Sequence, residues 1–153
     1  MACNTAHLLV DDIQVLFRHP VISLVDTTVE TIRRQGLHTV GLLASPTTIQ
    51  SKLYETALAR IGTVCLLPTK AEQHEVELLI RSVIAGKKPA TKRLLRIAHR
   101  LRRAGAEKVL LGCTELSVLM ADHAAGEFID PLCVITDVLF NGEELAGAAG
   151  SVL

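Results

Sequence analysis

Two of the four cysteines stand where a thiol could take part in chemistry. Cys113 follows the apolar run Lys108–Leu111 through a single glycine, and Cys3 comes directly before a segment of helical periodicity. Both are predicted to lie at helix N-termini, where free backbone N–H groups and a partial positive charge stabilise an anion. An ordinary thiol has a pKa of about 8.5, and this position is expected to lower it and raise the thiolate fraction near neutral pH.

Polar side chains adjoin both thiols. Asn4 and Thr5 follow Cys3, and Thr114 follows Cys113, so each is expected to cap the start of its helix. The same backbone donors can instead bind the carboxylate of a small molecule. We therefore expect these polar residues to contribute to an anion-binding site beside the thiols.

The other two cysteines, Cys65 and Cys133, lie within apolar β-branched runs, where a cysteine behaves as a small buried hydrophobe. We expect both to be inert. No Cys-x-x-Cys or His-x-x-x-His pair occurs, which disfavours a metal site, and none is predicted. The lack of a short Cys-x-x-Cys spacing also disfavours a redox pair, and a glycine-rich phosphate loop is absent.

The elements that must position these thiols alternate along the chain. Short apolar runs predict strands, and longer segments of helical periodicity predict helices. This alternation is typical of an α/β fold with a doubly wound, Rossmann-like parallel sheet. The predicted strands are Val21–Val25, Thr39–Leu43, Thr63–Leu67, Lys108–Leu111 and Leu132–Thr136, and the predicted helices span 4–17, 26–35, 46–60, 71–85, 90–104, 114–121 and 141–149.

Glycines mark the ends of several predicted helices. Gly36, Gly62, Gly86 and Gly105 each follow a periodic segment, where a left-handed C-terminal turn is expected. Their positions support the predicted order of helices and strands.

Composition excludes several classes of protein. The chain has 153 residues, 49% of them hydrophobic, with 16 basic and 16 acidic side chains. This balance gives no overall attraction to nucleic acid or to an anionic membrane. The apolar runs are shorter than the roughly 20 residues that span a bilayer. No secretory signal is recognisable, so we expect a soluble protein of the reducing cytoplasm with free thiols.

The residues around both thiols resemble the two signature motifs of the aspartate/glutamate racemase family. The motifs are Ala-Cys-Asn-Thr-Ala-His at 2–7 and Leu-Gly-Cys-Thr-Glu-Leu at 111–116. The stretch between them is similar too, and the resemblance runs from Cys3 to about Asp137. It includes Asp26-Thr27-Thr28 at the start of a helix, Val40-Gly41-Leu42-Leu43 followed by Ser45 and Thr48, and Tyr54 in the next helix.

The resemblance implies that Cys3 and Cys113 invert the Cα of aspartate or glutamate without pyridoxal phosphate or a metal. In the family the two thiols meet across a cleft between domains. One takes the Cα proton from one face of the amino acid, and the other delivers a proton to the opposite face. Because the reaction runs both ways, each thiol must be the base in one direction and the acid in the other.

Substrate recognition is expected from hydroxyl, amide and cationic side chains. By resemblance, Ser45 and Thr48 bind the α-carboxylate, although helix capping explains this pair almost as well. The polar residues beside the thiols are candidates for stabilising the carbanion. Lys87 is the candidate cation for the second carboxylate, with a solvated loop lysine as the alternative. Glu115 and His7 belong to the motifs, and neither is assigned a proton-transfer step.

The chain departs from the family at both ends. A full member begins with a strand, a glycine-rich loop and a segment with a substrate-binding arginine, and none of these precedes the first motif. The family's Asp-Thr-Thr and a following histidine are represented by Asp137-Val138 and Asn141-Gly142. We therefore expect a pseudo-symmetric two-domain architecture that lacks most of its first domain: a nearly complete α/β domain at 20–125, with 1–19 and 126–153 as remnants of the partner domain. Exposed apolar surface would then favour a homo-oligomer.

Other interpretations stay open. One is an inactive, truncated remnant that keeps the motifs but cannot orient a substrate. Another is anion or nucleic-acid binding by the basic residues at 87–103, although a solvated helix face explains these better, because no aromatic stacking residue accompanies them. Hydantoin racemases and isomerases of maleate-like diacids share the scaffold, but the motifs favour amino-acid racemisation. The basic residues are Lys87, Lys88, Lys92, Arg93, Arg96, Arg100, Arg102 and Arg103, and the apolar residues expected to face inward are Leu94, Ile97, Ala98 and Leu101.

Overall fold

A computed structural model describes residues 3–123 and 126–141 of the chain. Its centre is a sheet of four parallel strands in the order β2-β1-β3-β4, which confirms the predicted α/β class. The strands are β1 (Thr39–Ala44), β2 (Val64–Leu66), β3 (Lys108–Gly112) and β4 (Phe128–Ile129). The helices are a 3₁₀ helix (Thr5–Leu9), α1 (Val10–Leu16), α2 (Leu24–Arg34), α3 (Pro46–Gln50), α4 (Leu53–Ala59), α5 (Lys70–Ile84), α6 (Lys92–Arg103), α7 (Thr114–Met120) and α8 (Pro131–Asn141).

The sheet is buried between two apolar layers. β1 and β3 pair over five positions, from Val40 with Lys108 to Ala44 with Gly112, and both strands are almost wholly buried. Unbroken Val and Leu runs suit such strands because helices cover both faces of a parallel sheet. One layer includes Val76, Leu79, Leu94, Ile97 and Leu101, and the other includes Val29, Ile32, Tyr54, Leu58 and Leu110.

Two predicted strands are wrong. The run Val21–Val25 leads into α2, which begins at Leu24, and the Ser23 side chain caps it by accepting the Asp26 N–H at 3.1 Å. The run Leu132–Thr136 lies inside α8, which starts at Pro131 as a helical first turn allows. Periodicity cannot separate a five-residue buried strand from a buried helix segment. α2 and α8 pack against each other, so these two apolar runs meet as helices.

Two predicted helices are divided. The segment 4–17 consists of the 3₁₀ helix followed by α1, and the segment 46–60 breaks into α3 and α4 at Lys52, whose φ is 54°. The other predicted helices up to residue 121 are confirmed, with ends shifted by one or two residues. The segment predicted as a helix at 141–149 lies outside the described residues, apart from Asn141, which ends α8. The four helix-ending glycines all have a positive φ, as predicted.

The described part of segment 126–153 continues the same sheet. β4 pairs with β3, and α8 packs on α2. The division into a domain at 20–125 and partner-domain remnants stays a prediction. None of the helices in the described part of the chain combines the length and apolarity that a membrane span requires.

The N-terminal helix leaves much of its apolar surface exposed. α1 has no buried residue, and Val15 and Leu16 are 86% and 79% exposed. Phe17, directly after the helix, is exposed as well. Such a surface is compatible with the predicted self-association, which stays a prediction.

Gly112 lies where β3 packs tightly against side chains of β1, and its substitution provides a first test. A Cβ at this position would lie 2.9 Å from both the Ala44 Cβ and the Leu42 Cδ1. We predict that Gly112→Ala lowers the free energy of unfolding by about 1–3 kcal/mol, the usual cost of overpacking. Urea denaturation measures this. Gly126→Ala, whose Cβ would meet nothing within 4 Å, is the matched control, and equal losses in the two variants would contradict the prediction.

Candidate active site

The carboxyl ends of β1 and β3 bring the second motif beside the predicted hydroxyl pair, Ser45 and Thr48. Ala44 and Gly112 are paired in the sheet, so Ser45 and Cys113 leave neighbouring strands at the same edge. Adjacent strands are about 4.8 Å apart. Open parallel sheets bind ligands at this edge.

Three hydroxyl groups join the first motif to this edge. The Thr5 Oγ1 lies 3.0 Å from the Thr48 Oγ1 and 3.3 Å from the Ser45 Oγ, and the latter two atoms are 3.0 Å apart. The Ser45 Oγ also accepts the Thr48 N–H at 3.2 Å, which caps α3 as the alternative interpretation expected. Thr5 therefore contacts both residues of the predicted hydroxyl pair.

Asn4 is hydrogen-bonded to a buried tyrosine hydroxyl. Asn4 is 3% exposed, and its Oδ1 accepts a hydrogen bond from the hydroxyl of the fully buried Tyr54. Burial raises the pKa of Tyr54, so the phenol stays protonated and donates. The expected capping by Asn4 is wrong, because its side chain makes no bond to the following helix.

His7 links the first motif to α2 through both ring nitrogens. Its Nε2 accepts the Leu24 N–H at 2.7 Å, so its Nδ1 carries the proton and donates to the Cys3 carbonyl, also at 2.7 Å. Burial lowers the pKa of His7, although the bond to Cys3 opposes this. The neutral imidazole thus fixes the backbone of Cys3 to the start of α2.

Cys113 is half-buried and bonded to a carboxylate. Its Sγ donates to the Glu115 Oε2 at 2.9 Å, and the Thr114 hydroxyl donates to the same oxygen at 3.2 Å. Burial, followed by the hydrogen bond to Glu115 and its negative charge, raises the pKa of Cys113 to about 12. The predicted lowering of this pKa is wrong. Thr114 does not cap α7 either, because Cys113 occupies the capping position without a side-chain bond.

The two motifs meet at the carboxyl edge of β1 and β3, where Thr5 contacts Ser45 and Thr48 and Cys113 follows Gly112. After burial and Glu115, a negative charge on Cys3 makes the smallest contribution to the raised pKa of Cys113. Cys3 is exposed, whereas Cys113 is half-buried. The first motif therefore brings an accessible thiol, and the second motif a partly enclosed one, to the same edge of the sheet.

The structure does not join Lys87 to these residues. Lys87 lies in the exposed connection between α5 and α6, and no hydrogen bond or ion pair links its side chain to the thiol region within the described residues. Cys65 is partly buried in β2, and burial raises its pKa to about 12, in line with the inert thiol predicted. Cys133 is exposed on α8, so its predicted burial is wrong.

The basic segment 87–103 forms mainly a solvated helix face. Arg96 pairs with Glu75 at 2.8 Å, and Arg100 with Glu72 at 2.5 Å. Leu94, Ile97, Ala98 and Leu101 are buried as expected. Over the ranges that the structure describes, His, Cys, Asp and Glu side chains form no group of three suited to a metal ion.

Glu115 and Tyr54 contact motif residues, although neither was predicted from the sequence to have a role in the site. A carboxylate two residues after a candidate thiol was the available signal for Glu115, since both can lie on the first turn of a helix. For Tyr54 the signal was weaker, because its partners Asn4 and Gly112 are distant in sequence.

The neutral state of His7 predicts acid sensitivity. The pKa is about 6.5 when the chain is unfolded and lower in the fold, so acidification favours the unfolded, protonated state. Below pH 6.5 the free energy of unfolding should fall, with a slope of at most about 1.4 kcal/mol per pH unit, and it should be level above. Urea denaturation from pH 7.5 to 5 measures this. His7→Gln should lose this slope, whereas His74→Gln, at an exposed histidine, should keep it; identical profiles would contradict the assignment.

Glu115 predicts a change in thiol reactivity. Glu115→Gln removes the negative charge that helps raise the pKa of Cys113, so alkylation by iodoacetamide at pH 8 should become at least about threefold faster, following the thiolate fraction. Mass spectrometry of the modified peptides measures the rate. Cys65 is the internal control, because it is far from this carboxylate in sequence and its pKa is raised mainly by burial. An unchanged rate at Cys113 would mean that burial alone governs it.

Comparison with known proteins yields one family. A family model for Asp/Glu/Hydantoin racemase matches residues 1–139. An uncharacterised protein from the pnlA 3′ region of Pectobacterium carotovorum subsp. carotovorum is 33% identical over 111 residues, which cover 72% of this chain and 74% of that protein.

Solved structures agree with the fold. An aspartate racemase homologue from Pyrococcus horikoshii OT3 is 28% identical with a TM-score of 0.76, over 94% of this chain and 65% of that one. Glutamate racemase from Francisella tularensis subsp. tularensis, in complex with D-glutamate, is 21% identical with a TM-score of 0.70, over 92% of this chain and 54% of that one, a likeness of fold alone. This chain thus spans less than two thirds of either protein. With the family model covering residues 1–139, the chain belongs to the Asp/Glu/Hydantoin racemase family.

Proposed function

We propose that the chain forms a cofactor-independent racemase centre for aspartate or glutamate, in which Cys3 and Cys113 transfer protons on opposite faces of the Cα. One observation carries the proposal: the Thr5 hydroxyl of the first motif lies 3.0 Å from the Thr48 hydroxyl, at the sheet edge where β3 ends beside Cys113. A pair of thiols on one substrate atom is what inversion without a cofactor requires. The two relatives named for aspartate and for glutamate leave the choice of acid to experiment.

The protonation of Cys113 sets the starting direction. With its pKa raised to about 12, Cys113 carries its proton near neutral pH and is suited to act as the acid. In that direction the Cys3 thiolate removes the Cα proton, and the Cys113 S–H bond breaks as the new Cα–H bond forms on the other face. Cys3 then holds the abstracted proton and Cys113 is the thiolate.

Glu115 stabilises the protonated state of Cys113 from which the forward reaction starts. Its carboxylate oxygen lies 2.9 Å from the Cys113 Sγ and also accepts the Thr114 hydroxyl. The lowered pKa of Glu115 and the raised pKa of Cys113 keep the proton on the sulfur until the carbanion takes it, and the Cys113 thiolate left by that step is the base of the reverse reaction. The Thr114 hydroxyl keeps the carboxylate turned towards the sulfur.

The hydroxyl triad and Asn4 are the proposed substrate contacts. Thr5, Ser45 and Thr48 present hydroxyls 3.0–3.3 Å from one another, so a bound α-carboxylate can accept hydrogen bonds from more than one of them. Asn4 adds amide N–H donors next to Cys3. Lys87 remains the proposed partner of the second carboxylate, because a carboxylate pairs with a cationic side chain.

Assembly belongs to the same proposal. The exposed apolar side chains Val15, Leu16 and Phe17 suit a homo-oligomeric contact. All four cysteines are free thiols, as a reducing cytoplasm would maintain them.

Exchange of the Cα proton tests the function directly. In D₂O the protein should exchange the Cα proton of aspartate or glutamate and interconvert the enantiomers, which proton NMR and chiral chromatography follow. Cys3→Ser and Cys113→Ser should each lower racemisation by about 10²-fold or more, because each removes one acid–base group.

Cys133→Ser is the matched control, since this thiol is exposed on α8 and lies outside both motifs. It should leave the rate unchanged. A folded wild-type protein that exchanges neither acid would favour the inactive interpretation, and full activity in either motif variant would refute the two-thiol mechanism.

A further inference from the structure

We infer that Tyr54 is a positioning residue that holds the two thiol-bearing segments in a fixed relation, through its hydroxyl on one side and its ring on the other. This inference rests on the proposed function for its catalytic consequence. Tyr54 is the only tyrosine of the chain and lies fully buried in α4, between the sheet and the first motif.

The hydroxyl fixes the orientation of Asn4. A carboxamide has one oxygen acceptor and an NH₂ group with two donors. The Tyr54 hydroxyl donates to the Asn4 Oδ1, so the oxygen faces the protein interior. Because the carboxamide is planar, its NH₂ group then points away from the phenol. Asn4 therefore offers hydrogen-bond donors, which suit a carboxylate or a carbanion whose charge has moved onto oxygen.

The ring lies beside the strand end that leads to the other thiol. The Tyr54 Cε2 would lie 3.4 Å from a Cβ built on Gly112, the residue directly before Cys113. The ring belongs to the apolar layer that also contains Leu42 and Leu110 of β1 and β3. One rigid side chain thus binds the residue after Cys3 and lies beside the residue before Cys113.

Such a support matters because the proposed reaction is sensitive to geometry. Two sulfur atoms must approach one carbon from opposite sides, and a misplacement of about 1 Å can cost roughly 10²-fold in rate. The Tyr54 hydroxyl is bonded to Asn4 and, within the described residues, to neither sulfur, so its effect passes through its neighbours. Loss of the hydroxyl should therefore affect kcat more than KM.

Tyr54→Phe tests the inference because it keeps the ring and removes only the hydroxyl. We expect kcat for Cα exchange to fall at least about tenfold and KM to change less than about threefold. Asn4→Ala should also lower activity, and adding Tyr54→Phe to it should cause no further loss, because the hydroxyl acts through Asn4. The matched control is Thr63→Val, which removes a buried hydroxyl bonded to the Leu37 carbonyl at 2.9 Å, before β2. It should leave kcat unchanged.

A readout that needs no turnover separates this inference from the proposed function. The iodoacetamide alkylation rate of Cys3 should change severalfold in Tyr54→Phe, with the same non-additivity towards Asn4→Ala, and stay constant in Thr63→Val. If the wild-type protein exchanges no Cα proton, the proposed function fails. The non-additive effect of Tyr54→Phe and Asn4→Ala on Cys3 alkylation still tests the role of Tyr54 in that case. Multiplicative effects of the two changes, or a Tyr54→Phe variant that behaves like Thr63→Val, would overturn the inference.

Labelling covers the case in which Tyr54→Phe does not fold. Incorporation of 3-fluorotyrosine places one fluorine at the sole tyrosine and preserves the hydroxyl. Asn4→Ala should shift the ¹⁹F resonance, and Thr63→Val should not. If the ¹⁹F resonance does not shift in Asn4→Ala, the Tyr54 ring is not coupled to the first motif, and the positioning role is refuted.

Discussion

The parallel pairing of β1 with β3 determines where every other part of the site can lie. Because Ala44 is paired with Gly112, the hydroxyl pair after β1 and the thiol after β3 emerge side by side. A shift of this register by one residue would turn Ser45 or Cys113 to the opposite face of the sheet. The small side chains at this edge keep the strands close, since a Cβ on Gly112 would meet Ala44 and Leu42 at 2.9 Å.

The first motif is attached to this edge chiefly by polar contacts. α1 buries none of its residues, so the hydrophobic effect contributes little to holding the segment. Instead, His7 connects Cys3 to Leu24, Thr5 contacts the hydroxyls after β1, and Asn4 receives the Tyr54 hydroxyl. Buried hydrogen bonds are directional and costly to leave unmade, so they define orientation better than apolar contact alone. That suits the proposed role of this segment, which is to present one thiol to a substrate.

Competing electrostatic effects decide the state of Cys113. A helix N-terminus favours a thiolate, but α7 has seven residues and its first turn carries Glu115. Burial and the carboxylate at 2.9 Å outweigh the backbone donors and raise the pKa to about 12. The resting thiol is therefore protonated, which suits the proposed role of Cys113 as the acid. The two thiols of the pair occupy unequal environments, one enclosed and one exposed.

The sequence by itself determined the α/β class, the central strands β1 and β3, the helix-ending glycines and the two cysteine motifs, because these depend on local composition and on residues that are close in the chain. Only the tertiary structure decided whether Val21–Val25 and Leu132–Thr136 became strands or helices, since five apolar residues can be buried in either form. It also decided the exposure of Cys133, the raised pKa of Cys113 and the contacts of Tyr54. Each of these depends on which distant residues exclude water or donate a hydrogen bond, and sequence spacing does not encode that.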